Sequence, residues 1–181
     1  MNQQKFTSKS QEALMLAQNI AVENGQQQVD ALHLFYALTS QEESSVTAVL
    51  AKLNISIQSL KNDIQAEINL LPKIKTTGGL AMAIYASFEL AQIIERADKE
   101  TAKFKDDYIS TEHLFLAIIE VPSRAREILQ KYNINHDEVL KILSQVRGSQ
   151  RITDTEPESK FQSLEKYALN LTEMARQEKL D

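Results

Sequence analysis

The sequence predicts an all-α protein in which two tandem four-helix repeats pack as a pseudo-twofold bundle, followed by a linker and an extra C-terminal helix. Glycine and proline number only four and three in 181 residues, too few for the turns that a strand-rich fold of this length needs. Apolar residues recur at helical spacing through most of the chain. The block VDALHLFYAL at 29–38 returns as ISTEHLFLAI at 109–118, eighty positions on. The same register pairs Leu14 with Ile94 and Ala17 with Ala97, and after a slip of one, VLAKLNI at 49–55 matches ILQKYNI at 128–134. Three matches in nearly constant register mark a duplication. A unit this small cannot cover its own apolar stripes, so the two units are expected to pack on each other.

The elements follow in order. Repeat one spans about 1–71 and repeat two about 80–146, giving one domain over 1–146. Thr7 or Ser8 can N-cap a helix carrying Ala13, Leu14, Ala17, Ile20 and Ala21, and Ser8 with Gln11 has capping-box spacing. Gly25, after Asn24, can supply the left-handed residue that ends this helix. Asp30 caps the next, with Leu34, Phe35 and Leu38 facing inward, and shorter helices follow near 45–53 and 57–70. Pro72 and Gly78-Gly79 mark the join between repeats. The second repeat places helices near 81–104, 110–120, 124–132 and 136–146, with strand content close to zero. Residues 147–160 lack periodicity and read as a flexible linker. In 161–181, Phe161, Leu164, Ala168, Leu171 and Ala175 share one helical face with nothing further to pack against. A lone amphipathic helix is marginal in water, so the chain reads as cut from something longer.

Composition excludes several classes. With no cysteine, disulfides, thiolate metal sites and cysteine nucleophiles are out. Lys plus Arg is 20 against 25 for Asp plus Glu, a net charge of −5, which argues against nucleic-acid binding. The polar start carries no signal peptide, and the longest apolar run, 114–119, is far too short to span a bilayer. A soluble, cytoplasmic protein is expected, with no membrane partner. None of the four glycines opens a G-x-x-x-x-G-K-[ST] loop, so neither nucleotide hydrolysis nor a bound cofactor is expected here. His33 and His113 occupy equivalent places on two apolar helices, and no second histidine lies four residues from His113. His33, His113 and His136 therefore read as structural, not as metal ligands. No spacing favours a Ser-His-Asp arrangement, so catalytic residues are not expected.

Polar groups at the repeat edges are more informative. Thr7 is a helix cap that leaves a hydroxyl beside an apolar face. Asp106-Asp107 reads as solvated turn charge at the entry to Tyr108-Ile109. Glu112 falls in the first turn of its helix, where a carboxylate favours the positive end of the macrodipole. Leu14, Phe35, Ile94, Phe115 and Ile118 read as core first and binding surface second.

These patterns resemble the Clp N-terminal repeat domain, the amino-terminal module of Clp/Hsp100 AAA+ chaperones. The residues that carry the resemblance are Phe6-Thr7-x-x-Ser10-x-x-Ala13-Leu14-x-x-Ala17 and the blocks at 29–38 and 109–118. Leu71-Pro72-Lys73, Thr77-Gly78-Gly79 and Val146-Arg147-Gly148 are most similar to the disaggregase (ClpB) branch, and the tail from Leu164 to Asp181 resembles the start of the first ATPase domain. The resemblance implies a parent protein that binds ATP and Mg and works as a homohexamer with the DnaK chaperone system, threading aggregated polypeptides through a pore. The N domain would capture unfolded or aggregated polypeptides in an apolar groove and be a monomer by itself. The family's functional weight maps by motif to Thr7, Asp106 and Glu112, which would bond substrate backbone or position the helices. A protease-partner (ClpC/ClpA) N domain, docking an adaptor, is the alternative. Two departures stand out: Lys105 where many relatives have Gly, which puts that turn in doubt, and Glu100 at an often apolar site.

Overall fold

The computed structural model describes residues 5–75, 83–148 and 150–158. Among them are eight helices in two sets of four: α1 (Ser8–Glu23), α2 (Ala31–Ser40), α3 (Ser45–Lys52) and α4 (Ile57–Asn69), then α5 (Phe88–Phe104), α6 (Thr111–Glu120), α7 (Arg124–Lys131) and α8 (His136–Arg147). The expected all-α double repeat is what forms. The extra helix expected over 161–181 lies outside the described residues.

Local chemistry sets most of the boundaries. A polar side chain caps nearly every helix by accepting an N–H from the first turn: Thr7 from Ser10, Asp30 from Leu32, Ser44 from Thr47 and Ser56 from Ser59. In the second repeat Ser87, Ser123 and Asn135 do the same for Leu90, Arg126 and Glu138. Thr7, not Ser8, is the cap of α1, and Gln11 Nε2 instead donates to the Phe6 carbonyl at 3.2 Å. Gly25 ends α1 with φ +67°. Its counterpart eighty positions on, Lys105, holds the same left-handed conformation with φ 56°, where a side chain is disfavoured.

One boundary differs from expectation. α5 begins at Phe88, not near 81, because Tyr85–Ala86 (β2) pairs in parallel with Gln28–Val29 (β1). The Ser87 N–H donates to the Val29 carbonyl at 2.9 Å, as Thr7 N–H does to Ile109 at 3.0 Å. A single bridge joins Phe6 to Ile109. Adding eighty to Phe6 gives Ala86 and to Val29 gives Ile109, so the two pairings exchange under the pseudo-twofold.

The helices obey the same operator. α1 packs on α2 and α5 on α6, while α3 packs on α8 and α4 on α7 across the halves. At the centre Phe35 and Phe115, equivalent residues, place their ring centroids 6.3 Å apart and are 0% and 1% exposed. Leu34, Leu38, Leu114 and Ile118 are also fully buried, whereas Leu14 and Ile94 are half-buried at the edge of the core. Where a linker is expected, the described residues 150–158 lie against the domain, with Ile152 fully buried. Among the described residues no helix is long and apolar enough to cross a membrane.

Candidate functional site

Thr7, Asp106 and Glu112 are 0%, 8% and 1% exposed, and they meet in one buried polar cluster below the starts of α1 and α6. The turn after α5 delivers Asp106, and the α6 N-terminus delivers Thr111, Glu112 and His113. Asp106 Oδ2 accepts from His113 Nε2 at 2.9 Å, while His113 Nδ1 accepts the Ser110 N–H at 2.9 Å. Arg147, the last residue of α8, reaches both Asp106 oxygens with Nη2 at 2.8 and 3.0 Å and lies 2.6 Å from Glu112 Oε1 through Nη1. Its guanidinium also covers the Phe104 ring, 5.1 Å from the centroid.

The tail closes the cluster. Ile152 N–H donates to Asp106 Oδ1 at 2.8 Å. Glu158 Oε1 lies 3.1 Å from Thr7 Oγ1 and 3.4 Å from both the N–H nitrogen and Oγ1 of Thr111. Burial works to raise the Asp106 carboxyl, but the hydrogen bonds from His113, Arg147 and Ile152 outweigh it and hold this group below the usual carboxylate range. Glu112 and Glu158 go the other way: burial pushes both carboxyls up, against opposing help from Arg147 for Glu112 and from hydrogen bonds for Glu158.

Asp106, Glu112 and His113 could offer ligand atoms within 4.8 Å of one another. Arg147 already stands against both carboxylates and supplies the positive charge a cation would bring. The cluster ties α1, α6, α8, the turn after α5 and the tail together. Sequence reasoning picked out three of its members and missed Arg147 and Glu158.

An apolar groove opens elsewhere on the surface. It has a volume of about 210 Å³ and is lined by Leu14 and Gln18 of α1, Val29 of β1, Ile84, Tyr85 and Ala86 along β2, and Leu90 of α5. Large apolar side chains on the same elements stand in solvent: Met15 is 65% exposed, Tyr85 50% and Phe88 73%. Single exposed apolar residues are ordinary, whereas a concavity lined mostly by apolar side chains is a candidate interaction surface. Glu100 does not enter this groove. It is buried at 1% exposure between Arg96 Nε at 3.2 Å and Lys103 Nζ at 2.9 Å.

Residues 5–132 match the family described as the Clp repeat (R) N-terminal domain. The chain is 38% identical over 183 residues to the chaperone protein ClpB of Clostridium perfringens and 39% identical over 182 residues to that of Clostridium tetani. Each match takes in 100% of this chain and 21% of the relative. The chain thus spans about a fifth of the length of the curated relatives it matches. Among solved structures, the Hsp104 N-terminal domain from Candida albicans shares the fold with a TM-score of 0.74 at 19% identity, over 86% of this chain and 99% of that one. The ClpV N-domain in its complex with a VipB peptide does so with a TM-score of 0.63 at 18% identity, over 77% and 85%.

Proposed function

This chain belongs to the Clp repeat N-terminal domain family, and from that premise we propose that it is the substrate-capture module of a ClpB-type disaggregase. Its parent is an AAA+ ATPase that uses ATP and Mg and works as a hexamer with the DnaK system, as the resemblance implies. The ligand is an unfolded or aggregated polypeptide that offers exposed apolar side chains. The observation that carries this reading is the groove between α1, β2 and α5, lined by Leu14, Ile84, Tyr85 and Leu90, with Met15 and Phe88 exposed on α1 and α5. Whole-chain identity to ClpB proteins supports the disaggregase branch over the adaptor-docking one.

Capture needs only modest affinity. Burying one apolar side chain gains about 1.5–3 kcal/mol, so a few anchors offset the cost of association and leave binding near 1 μM, about −8 kcal/mol. Six copies on one ring raise the effective concentration and make weak sites sufficient. Gln18 and the polar backbone of β2 set few constraints on side-chain identity, which suits a receptor for many sequences. Thr7, Asp106 and Glu112 serve by position: they fix the starts of α1 and α6, and α1 forms one wall of the groove.

The test is an NMR titration of the 181-residue chain with an unfolded, apolar-rich polypeptide. Shifts should cluster at Leu14, Gln18, Tyr85 and Leu90. Saturating ligand with no shift at those residues rejects the siting, and binding only by a folded adaptor moves the role to adaptor docking.

A further inference from the structure

Residues 150–158 hold to the domain at a first cluster around Ile152 and again at Glu158. In the first, the Gln150 carbonyl accepts from Arg147 Nη2 at 3.1 Å and Arg151 Nε donates to the Lys105 carbonyl at 2.6 Å. Ile152 is buried, its N–H donating to Asp106 Oδ1 and its carbonyl accepting from Asp107 N–H, both at 2.8 Å. Six residues on, Glu158 is 1% exposed against Thr7 and Thr111, next to the buried Pro157. Between the anchors the Thr155 carbonyl accepts from Ser8 N–H at 2.8 Å, while Thr153, Thr155 and Glu156 lie exposed. Residues 150–156 form no helix or strand, Pro157 and Glu158 are helical, and the segment's side of every contact comes from one short stretch of chain.

We propose that residues 150–158 are a releasable strap, which opens as a unit while the helical domain stays folded. The closed state is supported by the buried Ile152 side chain and the bonds to Asp106, Asp107 and Ser8. The open state is favoured because Glu158 regains water. Its Oε2 is buried without a hydrogen-bond partner among the described residues, and its carboxylate lies close enough to Glu112 for the two charges to repel. Opening takes the Gln150 carbonyl from Arg147 and the Ile152 N–H from Asp106, but leaves the Arg147 ion pairs with Asp106 and Glu112 in place. Release frees nine residues, roughly 30 Å of extended chain at ~3.3–3.6 Å each. That this length is added to the tether of a capture module rests on the function proposed above; the strap itself does not.

Amide hydrogen exchange by NMR on the 181-residue chain tests it without any substrate. The N–H groups of Ser8, Asp107 and Ile152 all donate across the strap contact, so they should exchange together, at least tenfold faster than the core amides of Ala37 and Ile118. Ile152→Ser should speed all three a further tenfold or more and leave Ala37 and Ile118 unchanged. Where that variant unfolds, Ile152→Ala gives the same reading from a smaller loss at the same buried anchor. Exchange of the three amides only at the core rate makes the segment an integral part of the fold and overturns the proposal. Absence of protection at Ser8, Asp107 and Ile152 in the unaltered chain overturns it from the opposite side. Failed peptide capture with cooperative strap opening rejects the functional reading alone.

Discussion

Gln26 and Asp106 occupy the same position of the two repeats, and each engages Nε2 of the histidine seven residues on, at 2.6 Å to His33 and 2.9 Å to His113. In both repeats the histidine Nδ1 accepts the N–H of the helix cap, Asp30 at 2.8 Å or Ser110 at 2.9 Å. The geometry is shared and the charge is not. Gln26 passes its remaining donor to the Ile68 carbonyl at 2.7 Å, which closes a neutral network. Asp106 instead takes Arg147, the residue that stands where Ile68 stands in the first repeat. The carboxylate also has an oxygen left for Ile152 N–H, which Gln26 could not provide while holding His33. Exchanging an amide for an acid thus gave the second repeat both its ion pair and its anchor for the tail.

The neutral network makes stability depend on pH. Burial lowers the His33 pKa from 6.5 to about 4, and protonation would place a second N–H against the Asp30 N–H. The unfolded chain binds this proton below about 6.5 and the folded chain only near 4, so the folded state is favoured above 6.5. That advantage is lost as pH falls from 6.5 towards 4, by about 3 kcal/mol at 1.36 kcal/mol per pH unit. Urea unfolding at pH 7 and pH 4.5, with a proton titration of the His33 ring, checks it; a ring that titrates near 6.5 in the folded chain rejects it.

Arg147→Ala should be strongly destabilising. It strips the guanidinium from Asp106 and Glu112, which are 8% and 1% exposed. Removing one partner of a buried ion pair costs about 3–5 kcal/mol because the other charge stays behind unpaired. Denaturant midpoints at constant m-value measure this. A loss within the range of an ordinary surface substitution, under about 0.5 kcal/mol, would mean water reaches the cluster.

What the sequence could tell was local or repeated. The duplication was legible because blocks 29–38 and 109–118 keep both register and side-chain type, and Asp30, Gly25 and Ala13 through Ala21 announce their roles within a few residues. The late start of α5 was not legible, since it depends on β2 meeting β1 more than fifty positions away. Thr7, Asp106 and Glu112 could be named from type and resemblance, but their burial follows from partners remote in sequence, Arg147 and Glu158. Arg147 did leave a trace: it continues the buried stripe Val139, Leu143 of α8. An arginine in line with an apolar face needs an acid inside.

Lys105 holds a left-handed conformation that costs a side-chain-bearing residue roughly 1 kcal/mol, and the first repeat meets the same need with Gly25. Its side chain is exposed, and its carbonyl accepts from Arg151 Nε at 2.6 Å, a bond that survives substitution. Lys105→Gly should therefore stabilise the domain by a few tenths to about 1 kcal/mol, after part of the gain is returned to the more flexible unfolded chain. Thermal melts of the two proteins at equal concentration read this; a lower melting temperature would show that the lysine side chain contributes contacts of its own.

The groove separates binding from stability. Tyr85 and Phe88 are 50% and 73% exposed, so Tyr85→Ala and Phe88→Ser should leave the melting temperature nearly unchanged, as solvent-facing substitutions do. If these rings anchor substrate, each should weaken binding of an unfolded, apolar-rich polypeptide by about tenfold, near 1.4 kcal/mol, and the pair together by more. Thr7→Ala acts through the fold: it removes the α1 cap and a partner of Glu158, at about 1 kcal/mol of stability, and affects binding only through α1. Fluorescence anisotropy of a labelled polypeptide, paired with melts for each variant, distinguishes the two routes. Undiminished affinity in the Tyr85 and Phe88 variants, alongside lost affinity in a stable Thr7 variant, would place the binding surface at the polar cluster and empty the groove of its role.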